Sequence, residues 1–164
     1  MPTSTMVVQL KKGRDDRPTL ICVRRDGSRT WRKLHPFFPV HDMTHYAVES
    51  VFGFTEAFFG LVASGWSLET FAERGSASRL PTEALWAENM VGLFDLERAS
   101  GRLMRADEFT EALNAVLAQQ GVPAFRPVSD DELAAVRALR SGLQTRWFEL
   151  APAATMDLDF PGAV

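Results

Sequence analysis

Apolar and polar residues alternate in short runs over the first thirty-odd positions, then recur at helical spacing for most of the chain. Met6 to Leu10 is apolar and β-branched, and KKGRDDRP follows as a polar, turn-rich connection. Thr19 to Arg25 reads as a second strand. Asp26-Gly27 comes next, a pair suited to a tight type I′ hairpin because both central residues need positive φ. Arg29 to Leu34 should then return antiparallel, giving a meander of two or three strands. His35-Pro36-Phe37-Phe38-Pro39 ends that sheet, since proline removes ladder donors and restricts its neighbour. Cys22, the single cysteine, fits a small buried hydrophobe better than a nucleophile.

From Val40 the period becomes helical. The pattern predicts helices over Val40 to Phe52, Thr55 to Ser64, Leu68 to Arg74, Pro81 to Ala99 and Ala106 to Gln120. Each is followed closely by a glycine suited to a left-handed end position. Ser129-Asp130-Asp131-Glu132 is a capping box opening a helix to about Ser141. In the tail, Met156, Leu158 and Phe160 alternate with Asp157 and Asp159, which fits an edge strand or an arm over an apolar groove. The expected fold class is α+β: a small N-terminal antiparallel β-meander (1–38), a mainly helical body (39–145) and a C-terminal arm (146–164), together one domain.

Composition narrows the class. With 164 residues, 46% hydrophobic and 24% charged, the chain is an ordinary globular one. No apolar run reaches the ~18 residues of a membrane span, and the N-terminus lacks a secretory signal, so a cytoplasmic protein is expected. The net charge of −3 hides an asymmetry. Met1 to Lys33 carries nine Lys or Arg against three Asp or Glu, a net +6, which leaves −9 for the remainder. A basic start could face nucleic acid or an acidic partner. Only Trp31 interleaves with its basic side chains, whereas single-strand binders stack bases on several rings, so nucleic acid is the less favoured partner.

The chemistry concentrates in His41 to Glu49, HDMTHYAVE, which holds two of the chain's three histidines. His41, His45 and Glu49 are spaced i, i+4, i+8 and stack along one helix edge. Two imidazoles one turn apart can share a divalent metal ion, and the carboxylate a turn further on is a candidate third ligand. At about 100° per residue, Met43, Thr44, Ala47, Val48 and Val51 flank Val40 in a buried stripe, and the three candidate ligands line its border.

Two resemblances rest on this segment. HDMTH resembles the zinc-metallopeptidase signature HExxH with Asp42 in the glutamate's place, which implies a general-base role for Asp42. HDxxH with a downstream glutamate is also similar to the zinc-binding ubiquinone-biosynthesis scaffold family of the coenzyme Q complex. His41, Asp42 and His45 match, and Glu56 follows after ten residues where that family has eleven, within the run GFTEAFFGL. The likeness spans roughly 25 residues. It implies a helical, zinc-binding protein that handles an isoprenoid-like lipid, and the metal ligands are what is carried over.

Glu49 and Glu56 therefore compete for the third position, with His35 behind them and Asp42 as base or as an orienter of the ligands. The ligand types favour zinc, ahead of iron, nickel or manganese. Phe52, Phe58, Phe59 and Trp66 are candidate walls of an apolar ligand pocket beside the metal. Asp95, Glu97 and Arg98, and Asp107, Glu108 and Glu111, read as solvated helix faces. Two functions stand side by side. One is a metal-dependent hydrolase or other enzyme acting on a small, partly apolar substrate. The other is a non-catalytic interaction module whose basic hairpin binds an acidic partner or nucleic acid.

Overall fold

The computed structural model describes residues 5–15, 17–36 and 38–161, so Phe37 of the expected strand-to-helix junction lies outside the described residues. The chain forms β1 (Met6–Lys11), β2 (Thr19–Val23) and β3 (Arg29–Lys33), then α1 (Phe38–Phe52) and α2 (Phe58–Ala63). Two 3₁₀ turns, Leu68–Ala72 and Ser76–Arg79, lead to α3 (Thr82–Ser100), α4 (Ala106–Gln119), α5 (Asp130–Glu149) and β4 (Thr155–Phe160). The architecture is α+β, a four-stranded antiparallel sheet in the order β3-β2-β1-β4 beside a helical body.

The sheet follows from its period of two. Met6, Val8 and Leu10, with Leu20, Cys22, Met156, Leu158 and Phe160, all point to the face that the helices cover. Antiparallel pairing of Val8 with both Cys22 and Leu158 keeps that apolar set in register. The tail is thus an edge strand, because its alternation matches β1 residue for residue.

The turn between β2 and β3 differs from the expected type I′. Only Gly27 has positive φ, at 82°, and the Gly27 N–H donates to Arg24 O. Asp26 instead accepts from the Ser28 N–H and hydroxyl, a local side-chain bond that keeps its own backbone right-handed.

Two apolar clusters fill the interior. One joins α1, α3, α4 and the start of α5, through Val48, Phe94, Phe109, Leu113 and Val136. The other joins the sheet to Met43, Phe59, Leu143 and Trp147. The Ser129 capping box forms as expected, with the Glu132 N–H donating to Ser129 Oγ and the Ser129 N–H to Glu132 Oε1. The helix it opens runs on to Glu149 rather than stopping near Ser141. Leu139, Leu143 and Trp147 continue its apolar stripe from the first cluster into the second, which outweighs the Ser141-Gly142 break signal. Leu68–Arg74 closes only as a 3₁₀ turn, and α2 starts at Phe58 rather than Thr55. Thr55 and Glu56 instead donate their backbone N–H groups to the Glu83 carboxylate.

Helix α1 lies between the clusters, and this changes its faces. Asp42, His45 and Glu49 are as buried as Met43, Ala47 and Val48. A helix with core on two sides keeps little of such a border, so His45 and Glu49 sit in the interior while the His41 side chain stays about one-third exposed.

Candidate metal centre

Helices α1 and α3 run antiparallel, with His41 opposite Asp95 and His45 opposite Glu88. The two imidazoles, one turn apart on α1, meet edge to face with ring centroids 4.9 Å apart. His41 Nδ1 lies 3.1 Å from Asp95 Oδ2. His45 Nε2 lies 3.0 Å from Glu88 Oε2, and its Nδ1 stands 3.5 Å from Glu49 Oε2. That last separation is an ion-pair distance without hydrogen-bond alignment. One ligand atom each from His41, His45 and Glu88 lies within 4.8 Å of the other two, a spacing that could hold a metal ion.

Glu49 has a different place from the one its spacing suggested. Its side chain is fully buried, and Oε1 accepts the N–H groups of Phe59 and Gly60 at the start of α2. Its second oxygen turns to His45. Glu49 therefore locks the α1–α2 corner and faces the back of one imidazole, while the carboxylate grouped with both imidazoles is Glu88. Glu56 is exposed at the corner, its backbone held by Glu83, and stands outside the group. His35 is exposed at the end of the hairpin and also stands outside it.

Asp42 is 2% exposed, with Oδ2 lacking a hydrogen-bond partner. Burial pushes its carboxyl up to about 6, against the opposing pull of Arg32, His45 and His41. Arg32 reaches inward from β3 across the Phe58 ring, and its Nε is also without a partner. Burial likewise raises Glu49 above the ordinary carboxylate range, opposed by His45. Burial disfavours a charge on His45, but the Glu49 and Glu88 carboxylates outweigh it and raise the imidazolium to about 10. The bond to His45 in turn holds Glu88 below its usual value.

Seven buried side-chain polar atoms lack a hydrogen-bond partner among the described residues, and five belong to this cluster: Arg32 Nε, Asp42 Oδ2, His45 Nδ1, Glu49 Oε2 and Asp95 Oδ1, of which His45 Nδ1 and Glu49 Oε2 face each other as an ion pair. Buried polar groups are ordinarily satisfied, so their concentration beside His45 sets this part of the fold apart. Comparison with family models, curated proteins and solved structures finds no match to this chain.

Glu88 has no helix-turn relation to the histidines and carries no motif. What could have exposed it is the i, i+7 pair Glu88 and Asp95, two turns apart on α3, facing an i, i+4 histidine pair. The solvated faces expected on α3 are corrected in part. Glu97 is buried in a forked bond to Arg137, and Asp95 contacts His41.

The aromatic residues do not line one pocket. Phe52 stacks on Phe54 and meets Phe125 edge to face in the helical cluster, whereas Phe59 is buried against the sheet. Phe58 packs between His45 and Phe71, and Trp66 lies against Phe71 beneath Arg79. A 540 Å³ recess opens elsewhere, lined by Lys12, Arg14, Pro18, Pro36 and Trp147 among others, and none of the four rings borders it. Cys22 is buried and its thiol is pushed up to about 12, chiefly by burial, which leaves it inert as a nucleophile. Among the described residues no helix is long and apolar enough to cross a membrane.

The basic hairpin is partly engaged with its own fold. The Arg24 guanidinium donates to Val62 O at 2.7 Å and Trp66 O at 2.6 Å, tying the hairpin to the end of α2. Lys12 Nζ donates to Leu150 O at 2.7 Å, just past the end of α5.

Proposed function

We propose that this protein binds one divalent transition-metal ion through His41, His45 and Glu88. The observation that carries the reading is the grouping of those three ligand atoms amid five unsatisfied buried polar atoms. Asp95 and Glu49 act behind the ligands. Each carboxylate faces an Nδ1 and fixes a ring orientation, the arrangement by which outer carboxylates hold ligating histidines. The raised Asp42 and Glu49 carboxyls fit the same reading, since a nearby cation would relieve the cost of their buried charge. Two imidazoles and a carboxylate favour zinc, with iron, nickel and manganese as competitors.

The substrate side is Glu88, whose side chain is 59% exposed. Three protein ligands at an open edge suit an active centre more than a closed structural one. A metal bound there would polarise a carbonyl or acidify a water molecule, which points to hydrolysis of a small substrate. Asp42, buried towards the sheet and Arg32, serves in this reading as a charge-balancing group.

The test is metal analysis of protein purified without a histidine tag, followed by calorimetric titration of zinc into the stripped protein. One equivalent is expected, absent from the His41→Ala/His45→Ala double variant. A metal-free protein that takes up no ion would leave His45 as an imidazolium clamped between Glu49 and Glu88, a structural ion pair and nothing more.

A further inference from the structure

The face of the sheet turned away from the helices is ordered by charge. In register, Arg29 pairs with Val23, Val23 with Val7 and Val7 with Asp159. The next outward row runs Trp31, Ile21, Gln9, Asp157. The third row runs Lys33, Thr19, Lys11, Thr155, so the β3 edge of the face carries two cations and the β4 edge two carboxylates, with Lys11 of β1 inside it. Between them lies an apolar strip of Val7, Ile21 and Val23, none of which enters either core. Trp31, beside the strip, is 59% exposed.

We propose that this face packs against the same face of a second copy, about a two-fold axis parallel to the strands. That axis lays β3 of one copy over β4 of the other, so Arg29 meets Asp159 twice and Lys33 lies near Asp157 twice. The apolar strip then covers itself, Val7 over Val23, and Trp31 closes the rim. A two-fold axis across the strands would instead set β3 on β3 and bring like charges together. Charge complementarity therefore selects both the occupant and its orientation.

Four strands at ~4.8 Å and three outward residues per strand at ~6.8 Å give a face of roughly 300–400 Å² in outline. That is well below the ~800 Å² per partner of a standard stable interface, which makes the dimer weak and concentration-dependent. It should form at about 0.1–1 mM protein and recede as salt screens the edge pairs.

Sedimentation equilibrium over that range tests the arrangement. The wild-type chain should show a monomer–dimer equilibrium that weakens between low and high salt. Arg29→Glu/Lys33→Glu and Asp157→Lys/Asp159→Lys should each be monomeric, and an equimolar mixture of the two should dimerise again. All four positions are exposed, and circular dichroism of each variant checks that it stays folded. A wild-type chain that stays monomeric to 1 mM, or a mixture that fails to reassociate, overturns the proposal. So does a monomer that binds a single-stranded oligonucleotide through Arg29 and Trp31, which would assign the face to nucleic acid.

Discussion

Helix α3 carries two polar networks, and they are built differently. Towards α5, the Glu97 carboxylate, with no side-chain exposure, takes a forked bond from Arg137 at 2.8 Å, and Arg137 also donates to Met104 O. No atom of that pair is left over. Towards α1, Glu88 and Asp95 meet two histidines, and five polar atoms in and behind the contact have no hydrogen-bond partner among the described residues. A closed pair of opposite charges is how a fold repairs the cost of buried ionisable groups. The second network lacks such closure, and that is the difference the proposed metal ion would account for.

The sharpest break of that comparison is removal of Arg137. Arg137→Ala leaves Glu97 buried and unpaired, and should lower stability by ~3–5 kcal/mol in denaturant titration while zinc affinity holds. A fall in affinity as large as that of the histidine variants would mean the two networks are one.

Next in size is the pH response of the metal-stripped protein. His45 is raised from 6.5 to about 10, so its contribution is complete below pH 6.5 and is lost as pH rises towards 10. The wild-type minus His45→Gln difference in unfolding free energy should therefore shrink steadily over that window. Asp42 works at the acid end. Its carboxyl rises from 3.8 to about 6, so the folded state loses stability as pH climbs between those values, and Asp42→Asn should remove that loss. Saturating zinc should flatten the alkaline limb, because the ion replaces the proton on His45.

Smaller effects sharpen the roles around the ion. Asp95→Asn and Glu49→Gln keep all three ligands and should weaken zinc binding by ~10–100-fold by calorimetry. Glu49→Gln should also lower stability, since Oε1 holds two backbone N–H groups, whereas Asp95→Asn should barely move it. Glu56→Gln is the control, and no change in affinity is expected.

How much of this the chain disclosed depends on the range of each cause. The strands and hairpin came from alternation at Met6 to Leu10 and Thr19 to Arg25, and the helix ends from glycines such as Gly101, at φ 69°. These are local signals. The true length of α5 was hidden because Leu143 and Trp147 gain their partners from the sheet and from α1 and α2, all distant in sequence. Half of the candidate site was legible, since the His41–His45 spacing is a property of one helix. Glu88 was not, because it reaches the histidines only when α3 docks on α1. The same docking buries His45 and Glu49, which a single-helix wheel placed at the border of the core stripe.

The most direct measurement is anomalous diffraction at the zinc edge from crystals of the tag-free protein soaked in zinc. One strong peak is expected among His41, His45 and Glu88, lost in the His41→Ala/His45→Ala variant. Ordered density with no peak there, or with a peak only at exposed groups such as His35 or Glu56, would contradict it.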